Sequence, residues 1–261
     1  MIINKKTSML KREPLLILMD GHAMVYRAWH AIQQPLTIRN TGEEVGAVFG
    51  FLNTFLRCLE DLQPTHCAIA FDVSGPTFRH VEYDAYKAQR PPMPPELYPQ
   101  FDRIRHIMDA FGIPIFEYKG YEADDVLGTL CRQAEEQDME TMVLTGDTDE
   151  LQLVSNRVRV LLSYSVQGKV VYDVAKVRER YGGLGPNVIP DIKALQGDTS
   201  DNIPGVPGVG TKTAIRLLNE YQTVEGIYQN LRKVTPPRIQ KSLEDHKELA
   251  LKGKFLTTIV R

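Results

Sequence analysis

Short apolar runs alternate with longer segments of helical periodicity along much of the chain. Three runs are apolar on both faces, as buried parallel strands are, and each stops at an aspartate: residues 15–19, 67–71 and 141–146. The helical period recurs in the segments between these runs: 46–61, 99–111 and 124–137. This alternation predicts an α/β fold with a mostly parallel central sheet flanked by helices.

Weaker patterns extend this outline toward the C-terminus. They predict further strands and helices at residues 113–118, 158–162 and 168–172 (strands) and 174–181 and 214–220 (helices). The glycine-rich stretch at 182–186 predicts a boundary. We therefore expect an α/β core at 14–183 and a C-terminal subdomain at 184–261.

The composition is that of a soluble globular protein, with 43% hydrophobic and 25% charged residues in a chain of 261. No apolar run approaches the length of a membrane span, and the polar residues 1–13 predict a disordered tail rather than a signal peptide. Three widely spaced cysteines, Cys58, Cys67 and Cys131, indicate reduced thiols in a cytosol. The expected location is the cytoplasm, with no membrane partner.

The charges are distributed unevenly although the net charge is only −2. Residues 120–150 hold ten acidic residues and one basic one, whereas residues 205–261 hold ten Lys/Arg and five Asp/Glu. An acidic centre beside a basic flank suits a protein that holds metal ions and grips phosphates. Two solvated helix faces of opposite sign are the alternative.

Three carboxylates lie within four residues at the start of the predicted helix 124–137: Glu122, Asp124 and Asp125. Each alone complements the helix macrodipole by about 0.3–1 kcal/mol. Together they repel one another, by up to about 4 kcal/mol for a pair about 4 Å apart. This excess of negative charge predicts a bound cation.

Further carboxylates follow the three predicted strands. These are Asp20, Asp72, Asp147 and Asp149. Aspartate is also a good turn residue. Because the carboxyl ends of parallel strands share one edge of the sheet, the set together nevertheless predicts a metal site there.

Residues 73–98 form the longest irregular stretch, and such stretches tend to be functional or disordered. Basic and aromatic side chains are interleaved here: Arg79, Tyr83, Tyr86, Lys87 and Arg90. Helical spacing places Tyr83, Lys87 and Arg90 on one face. Cations that hold phosphates and tyrosines that stack on bases suit a single strand. A solvated helix with a proline-rich connector is the alternative.

The segment 197–214 combines two carboxylates, Asp198 and Asp201, with a glycine-rich half that runs into a helix. It is not a P-loop, because Thr211 separates Gly210 from Lys212, and its glycine order does not match the dinucleotide fingerprint. It fits a hairpin between two helices whose backbone N–H groups face phosphate oxygens. The candidate DNA contacts are Gly208, Gly210, Lys212 and Thr213.

Taken in order, these motifs resemble the 5′ nuclease family, closest to the N-terminal 5′→3′ exonuclease domain of bacterial DNA polymerase I, with flap endonucleases as wider relatives. The matching motifs are Met19-Asp20-Gly21, Phe71-Asp72, Phe78-Arg79, Tyr86-Lys87-Ala88, the stretches 120–125 and 145–149, and 197–214. One departure is Thr148, where lysine is more usual. The other is length, since relatives continue past Arg261.

The resemblance implies a PIN-like nuclease core and two groups of metal ligands. The first group is Asp20, Asp72, Glu122 and Asp124. The second is Asp147, Asp149 and Asp201, with Asp125 and Asp198 as inner or water-mediated partners. Two Mg²⁺ ions are expected, with Mn²⁺ as a substitute, and K⁺ at a C-terminal helix-hairpin-helix.

The resemblance also implies roles for the basic residues. A helical arch at about 76–98 admits the single-stranded 5′ end, and Lys87 and Arg79 contact the scissile phosphate. The implied activity is structure-specific 5′→3′ exonuclease and 5′-flap endonuclease cleavage of DNA by two metal ions, leaving 5′-phosphate and 3′-hydroxyl. The expected substrates carry flaps, nicks or single-stranded 5′ ends. The expected protein is a nucleoid-associated monomer, with a fused or separate DNA polymerase as partner.

Three other functions are alternatives to this one. A phosphatase of the haloacid-dehalogenase type needs Asp-x-Asp after its first strand, and Asp20-Gly21-His22 has no second aspartate. A non-catalytic structure-specific DNA-binding module is disfavoured because unneutralised carboxylates repel DNA. An RNA-directed nuclease of a related fold is disfavoured by the hairpin that would grip a duplex.

Overall fold

The structure is a computed structural model that describes residues 13–32, 34–165 and 168–261. Within these ranges the side chains of 163–165 and 168–169 are not described. The predicted disordered tail at 1–13 lies, except for Glu13, outside the described residues.

A six-stranded sheet forms the centre of the fold. Its strands are β1 Leu15–Asp20, β2 His66–Ala70, β3 Ile115–Phe116, β4 Glu140–Thr145, β5 Val158–Ser165 and β6 Gly168–Tyr172. The order is β3-β2-β1-β4-β5-β6, and only the β5–β6 pair is antiparallel. The predicted mostly parallel sheet is therefore confirmed. Strand order reverses between β1 and β4, which is where ligands bind in open α/β sheets.

Helices cover both faces of this sheet. They are α1 Gly21–Ala31, α2 Gly46–Leu62, α3 Phe78–Glu82, α4 Tyr98–Ala110, α5 Ala123–Glu136 and α6 Val174–Arg180. Ile17 and Met19 of β1 pack with α1, α2 and α4, whereas Leu18 packs with α5 on the other face. This two-sided burial explains why β1 reads as a continuous apolar run. Sequence analysis did not predict α1.

The C-terminal part is helical and has its own apolar cluster. Its elements are α7 Ile189–Gln196, β7 Gly197–Asp198, β8 Ile203–Pro204, α8 Thr211–Tyr221, α9 Val224–Gln229, α10 Pro237–Asp245 and α11 Lys247–Thr257. Buried leucines from three of these helices meet in that cluster: Leu195, Leu217 and Leu243. The predicted hairpin between two helices lies between α7 and α8. Helices α9, α10 and α11 were not predicted.

The segment 76–98, here called the arch segment, differs from the prediction. Helix α3 ends at Glu82, and residues 84–89 form successive turns, with Lys87 at φ +53°. The Lys87 N–H donates to the carbonyl of Asp201 rather than to a carbonyl one helical turn earlier. The prediction of one helical face carrying Tyr83, Lys87 and Arg90 is therefore wrong, because a long-range backbone contact replaces the helix.

No helix within the described ranges is long and apolar enough to cross a membrane.

Candidate metal centre and nucleic-acid interface

Three carboxylates meet where β1 and β4 lie side by side. We call Asp20, Asp124 and Glu150 the first cluster, because one carboxylate oxygen of each lies within 4.8 Å of the other two. Asp20 ends β1 and caps α1 through the Ala23 N–H at 3.0 Å. Thr145, at the end of β4, donates to Asp20 at 3.1 Å and has Glu150 within 3.0 Å. The first cluster therefore lies at the neighbouring carboxyl ends of β1 and β4.

A second cluster contains Asp149, Asp198 and Asp201, again with oxygens within 4.8 Å of one another. The β7–β8 hairpin supplies two of these side chains. The N–H and hydroxyl of Ser200 donate to Asp198 at 2.9 and 2.6 Å. The backbone at Gly205 approaches Gln196 so closely that a Cβ on Gly205 would lie 2.2 Å from the Gln196 carbonyl carbon. This close approach requires glycine.

Lys193 of α7 contacts this second cluster. Its ammonium group donates to Asp149 and lies 2.5 Å from Asp198. A protein cation thus lies against two carboxylates that a metal ion would bind. The contact shows that the second cluster has the negative charge to attract a cation.

Four predicted ligands remain outside the two clusters. Asp72, whose side chain is 44% exposed, accepts the Ala123 N–H at 2.7 Å and so holds the start of α5. Asp147 accepts the Asp149 N–H at 3.0 Å. Glu122 lies beside both clusters, but its carboxylate already meets Lys87 at 3.0 Å. The fourth is Asp125.

Asp125, which the resemblance makes an inner or water-mediated metal partner, is held by protein groups in this structure. Its side chain is 1% exposed and forms a two-pronged ion pair with Arg79, at 2.7 and 2.8 Å. It also accepts the N–H groups of Glu122 at 3.1 Å and Val260 at 2.9 Å. These four contacts occupy both oxygens, and Asp125 fastens the chain end to α5 instead.

Arg79, which the resemblance assigns to the scissile phosphate, is buried and paired with protein groups in this structure. Arg79 is 2% exposed and, besides Asp125, it donates to the carbonyls of Leu256 at 2.8 Å and Thr258 at 2.9 Å. Its guanidinium is therefore committed to joining the arch segment, α5 and the C-terminal residues.

The arch segment brings two cations and a tyrosine to the clusters. Lys87 lies 3.0 Å from Glu122 and 3.8 Å from Asp201, and Arg90 lies 2.6 Å from Asp201. The Tyr86 hydroxyl is 3.0 Å from carboxylate oxygens of both Glu122 and Asp201.

The two tyrosines of the arch segment are packed against protein. Tyr86 is buried with Ile203 and Leu256, so its ring is not open to a DNA base in this arrangement. Tyr83 is half-buried against the same apolar group. Its ring also lies 6.0 Å from the Lys252 ammonium.

Burial and like charge perturb the acids of both clusters. Burial raises the pKa of Asp20 to about 7, with Asp72 adding to the rise and the Ala23 N–H opposing it. Burial, together with Asp147, raises the pKa of Asp149 to about 8 although Lys193 opposes the rise. The pKa values of Asp124 and Glu150 are raised by the same causes. A cation would remove this repulsion.

These pKa values predict how metal-dependent stability changes with pH. Since an unfolded aspartate has a pKa of about 3.9, the folded chain holds protons that the unfolded chain releases. The stability of the metal-free protein therefore falls as pH rises from about 4 to about 8. A ligand that binds only the folded chain raises Tm when it is in excess. We expect the increase in Tm caused by about 10 mM Mg²⁺ to be larger at pH 8 than at pH 6.

Thermal unfolding in Mg²⁺ and in chelator across this pH range checks that expectation. An Asp20→Asn variant should show a smaller pH dependence because one of the titrating carboxylates is gone. A Tm increase that is equal or larger at pH 6 would contradict the assignment.

A helix N-terminus lies beside the second cluster. Helix α8 begins after Gly210, which has extended backbone and no side-chain cap. The preceding turn needs a left-handed residue, supplied by Gly208 at φ +80°. Lys212 is exposed and Thr213 is half-buried. The first amides of α8 lack intrahelical acceptors, as the predicted phosphate contact requires.

Sequence reasoning missed Glu150 and Lys193. Glu150 could have been found, because Asp147, Asp149 and Glu150 repeat the pattern of three acids in four residues seen at Glu122–Asp125. Lys193 carries no such signal, since its place beside Asp149 depends on how α7 packs against the core.

The donor chemistry fits hard divalent cations. Both clusters offer only carboxylate oxygens, and one oxygen of Glu150 is buried with no hydrogen-bond partner among the described residues. Oxygen ligands favour Mg²⁺, Ca²⁺ or Mn²⁺ over metals that prefer sulfur or imidazole.

Comparison with known proteins shows the family to which this chain belongs. Two family models match: the 5′-3′ exonuclease N-terminal resolvase-like domain over residues 15–182, and the 5′-3′ exonuclease C-terminal SAM fold over residues 184–261. DNA polymerase I of Chloroflexus aurantiacus is 46% identical over 250 residues, which cover 95% of this chain and 26% of the relative. For Bacillus subtilis DNA polymerase I the identity is 42% over 246 residues, covering 94% and 28%. The chain thus spans little more than a quarter of these relatives.

Solved structures share the fold. A T5 5′-exonuclease structure with bound zinc has a TM-score of 0.76 at 20% identity, and the match covers 93% of this chain and 89% of that one. The catalytic core of Rad2 in complex with DNA has a TM-score of 0.60 at 14% identity, covering 95% and 81%. The chain therefore belongs to the 5′-3′ exonuclease family and carries both the N-terminal and the C-terminal domain of that family.

Proposed function

We propose that this chain is a structure-specific 5′→3′ exonuclease and 5′-flap endonuclease on DNA that leaves 5′-phosphate and 3′-hydroxyl ends. The observation that carries the proposal is the pair of carboxylate clusters at the carboxyl ends of β1 and β4 and on the β7–β8 hairpin. The cations of the arch segment contact Asp201 of the second cluster and the neighbouring Glu122. A member of the 5′-3′ exonuclease family with this arrangement has the residues for phosphodiester hydrolysis.

Each cluster would hold one divalent cation, Mg²⁺ or its substitute Mn²⁺. Bound cations would lower the pKa of the attacking water and neutralise charge on the phosphate. Asp20 and Asp124 would hold the first ion, and Asp149, Asp198 and Asp201 would hold the second. Negative charge at the rim comes from three further side chains: Asp72, Glu122 and Asp147.

Lys87 is the side chain that we assign to the scissile phosphate. Burial alone would lower its pKa, but Glu122 and Asp201 outweigh that effect and the pKa is raised, so the ammonium stays charged at neutral pH. The strained backbone at φ +53° and the N–H bond to Asp201 hold it beside both clusters. Arg90, half-exposed next to Asp201, continues the positive path along the arch segment toward the 5′ end.

Replacing Lys87 with alanine should reduce kcat by about 10²-fold, because a fixed positive charge is lost from the transition state. Duplex affinity should change little, since the hairpin and α8 remain. Single-turnover cleavage and DNA binding in Ca²⁺ separate the two quantities. A loss confined to affinity would count against this role for Lys87.

The α7–hairpin–α8 unit would bind the duplex backbone. The amides at the start of α8 and the exposed Lys212 face phosphate oxygens, and the carbonyls of the preceding turns would accept K⁺.

The Lys212→Ala variant should weaken binding to all duplex sequences alike. The slope of log K against log salt should fall in magnitude by about 0.9, since one phosphate contact is lost. Titrations at several salt concentrations measure it, with the exposed Lys176→Ala on α6 as the matched control. An unchanged slope would remove Lys212 from the phosphate contacts.

A 5′-labelled DNA flap on a duplex tests the proposed function directly. We expect Mg²⁺-dependent release of short labelled products, abolished by chelator, and a ligatable 5′-phosphate on the remaining strand. Equal cutting of a 3′-flap duplex, or no Mg²⁺-dependent cutting, would refute the proposal. The same substrate with an RNA flap separates DNA from RNA specificity.

The relatives are DNA polymerases, so the proposed partner is a fused or separate DNA polymerase. The proposed state is a monomer that acts in the bacterial cytoplasm at the nucleoid.

A further inference from the structure

Glu150 is the most completely buried acid of the site, with 0% of its surface exposed. It lies in the 3-10 helix Asp149–Leu153, directly after the predicted motif of Asp147 and Asp149. Neither the sequence pattern nor the resemblance assigned it a role. A carboxylate in this position needs a partner, because burial away from water is costly for a charged group.

The structure supplies only half of that partnership. One carboxylate oxygen of Glu150 lies 3.0 Å from the hydroxyl of Thr145. The other oxygen is buried and has no hydrogen-bond partner within the ranges that the structure describes. Buried polar atoms without partners are rare in native proteins and indicate a bound ion or water.

The surroundings of the Glu150 carboxylate are negative. One oxygen of Glu150 lies within 4.8 Å of oxygens of Asp20 and Asp124. The lysines closest to these acids are already paired, Lys87 with Glu122 and Lys193 with Asp149. Among the described residues, no basic side chain forms an ion pair with any of the three carboxylates. A cation from outside the chain is the group that fits.

We propose that Glu150 is a direct ligand of the divalent cation in the first cluster, so that three carboxylates, Asp20, Asp124 and Glu150, hold that ion in this chain. The inference rests on the proposed function and adds Glu150 to its first metal site. The resemblance instead implies Asp72 and Glu122 as the ligands beside Asp20 and Asp124. Thr145 then acts as a positioning residue, because its hydroxyl contacts Asp20 and Glu150 together.

A glutamine at this position distinguishes a ligand from a packing residue. Glu150→Gln keeps the shape and can still accept from Thr145, but it loses the charge. We expect it to weaken Mn²⁺ binding at the first cluster at least tenfold, measured by calorimetry on the full chain at pH 8. Its Tm in chelator should rise, because the carboxylates of Asp20 and Asp124 lose a like charge beside them.

Three variants make the outcome decisive. Glu179→Gln, on the exposed face of α6, is the matched control and should bind Mn²⁺ like the parent chain. Glu150→Asp keeps the charge and should bind more tightly than Glu150→Gln. If Asp124→Asn weakens Mn²⁺ binding and Glu150→Gln does not, the inference is overturned while the proposed function stands. If neither variant weakens it, the metal site itself is wrong, and the inference falls with it.

Discussion

The Asp124→Asn variant is expected to lose at least about 10³-fold in kcat for flap cleavage while keeping its fold and its affinity for duplex DNA. Asp124 lies in the first turn of α5, within 4.8 Å of Asp20 and Glu150. An amide keeps the size of the side chain but cannot supply the charge that holds a divalent cation. The same change removes repulsion, since burial and then Asp20 raise the pKa of Asp124 well above its usual range.

The variant should therefore unfold at a higher temperature than the parent in chelator, and gain less from Mg²⁺. Single-turnover cleavage and thermal unfolding with and without Mg²⁺ measure both effects. Asp102→Asn, an exposed position on α4, is the control and should match the parent in each assay. Cleavage at more than a tenth of the parental rate would show that Asp124 does not hold the ion.

The Arg79→Met variant is expected to lose about 3–5 kcal/mol of folding stability, because it leaves buried carboxylates without their cation. Arg79 pairs with Asp125 at 2.7 and 2.8 Å and lies 3.4 Å from Glu122. The variant also loses the two hydrogen bonds that Arg79 donates to the backbone carbonyls of Leu256 and Thr258. The arch segment, α5 and the C-terminal residues would thereby lose their common contact.

Denaturant unfolding of the single variant and of Arg79→Met with Asp125→Asn measures this loss. The second change removes the unpaired charge, so the double variant should recover part of the stability, as neighbouring residues in a double-mutant cycle do. A variant with parental stability but abolished cleavage would instead restore Arg79 to the phosphate, as the sequence resemblance implied.

The two variants separate the roles that the acidic stretch Glu122–Asp125 combines. Asp124 faces the first cluster, whereas Asp125 turns to Arg79 and the chain end, although the two are adjacent in sequence. Adjacent residues at the start of a helix point about 100° apart, so one turn can serve metal binding and structure together. Glu122, which caps α5, connects this turn to Lys87 and Tyr86 of the arch segment.

The main strands and helices of the core followed from local signals. The runs at 15–19, 67–71 and 141–146 became β1, β2 and β4, and the segment 124–137 became α5 within one residue at each end. These elements have strong periodicity, which is the most reliable feature of a single sequence. Helices α9, α10 and α11 were not predicted, although α8 of the same apolar cluster was.

The amino-acid sequence determined which carboxylates could meet, since aspartates at the ends of parallel strands must share one edge of the sheet. Tertiary structure decided which of them do meet: Glu150 lies in the first cluster beside Thr145, whereas Asp125 pairs with Arg79. Lys87 lies against Glu122 and Asp201, and its N–H donates to the Asp201 carbonyl. The physical reason is the range of sequence over which each feature is determined. Strand-end position is set by local periodicity, whereas the direction of a buried charged side chain is set by the opposite charges and hydrogen-bond donors that packing brings from distant parts of the chain.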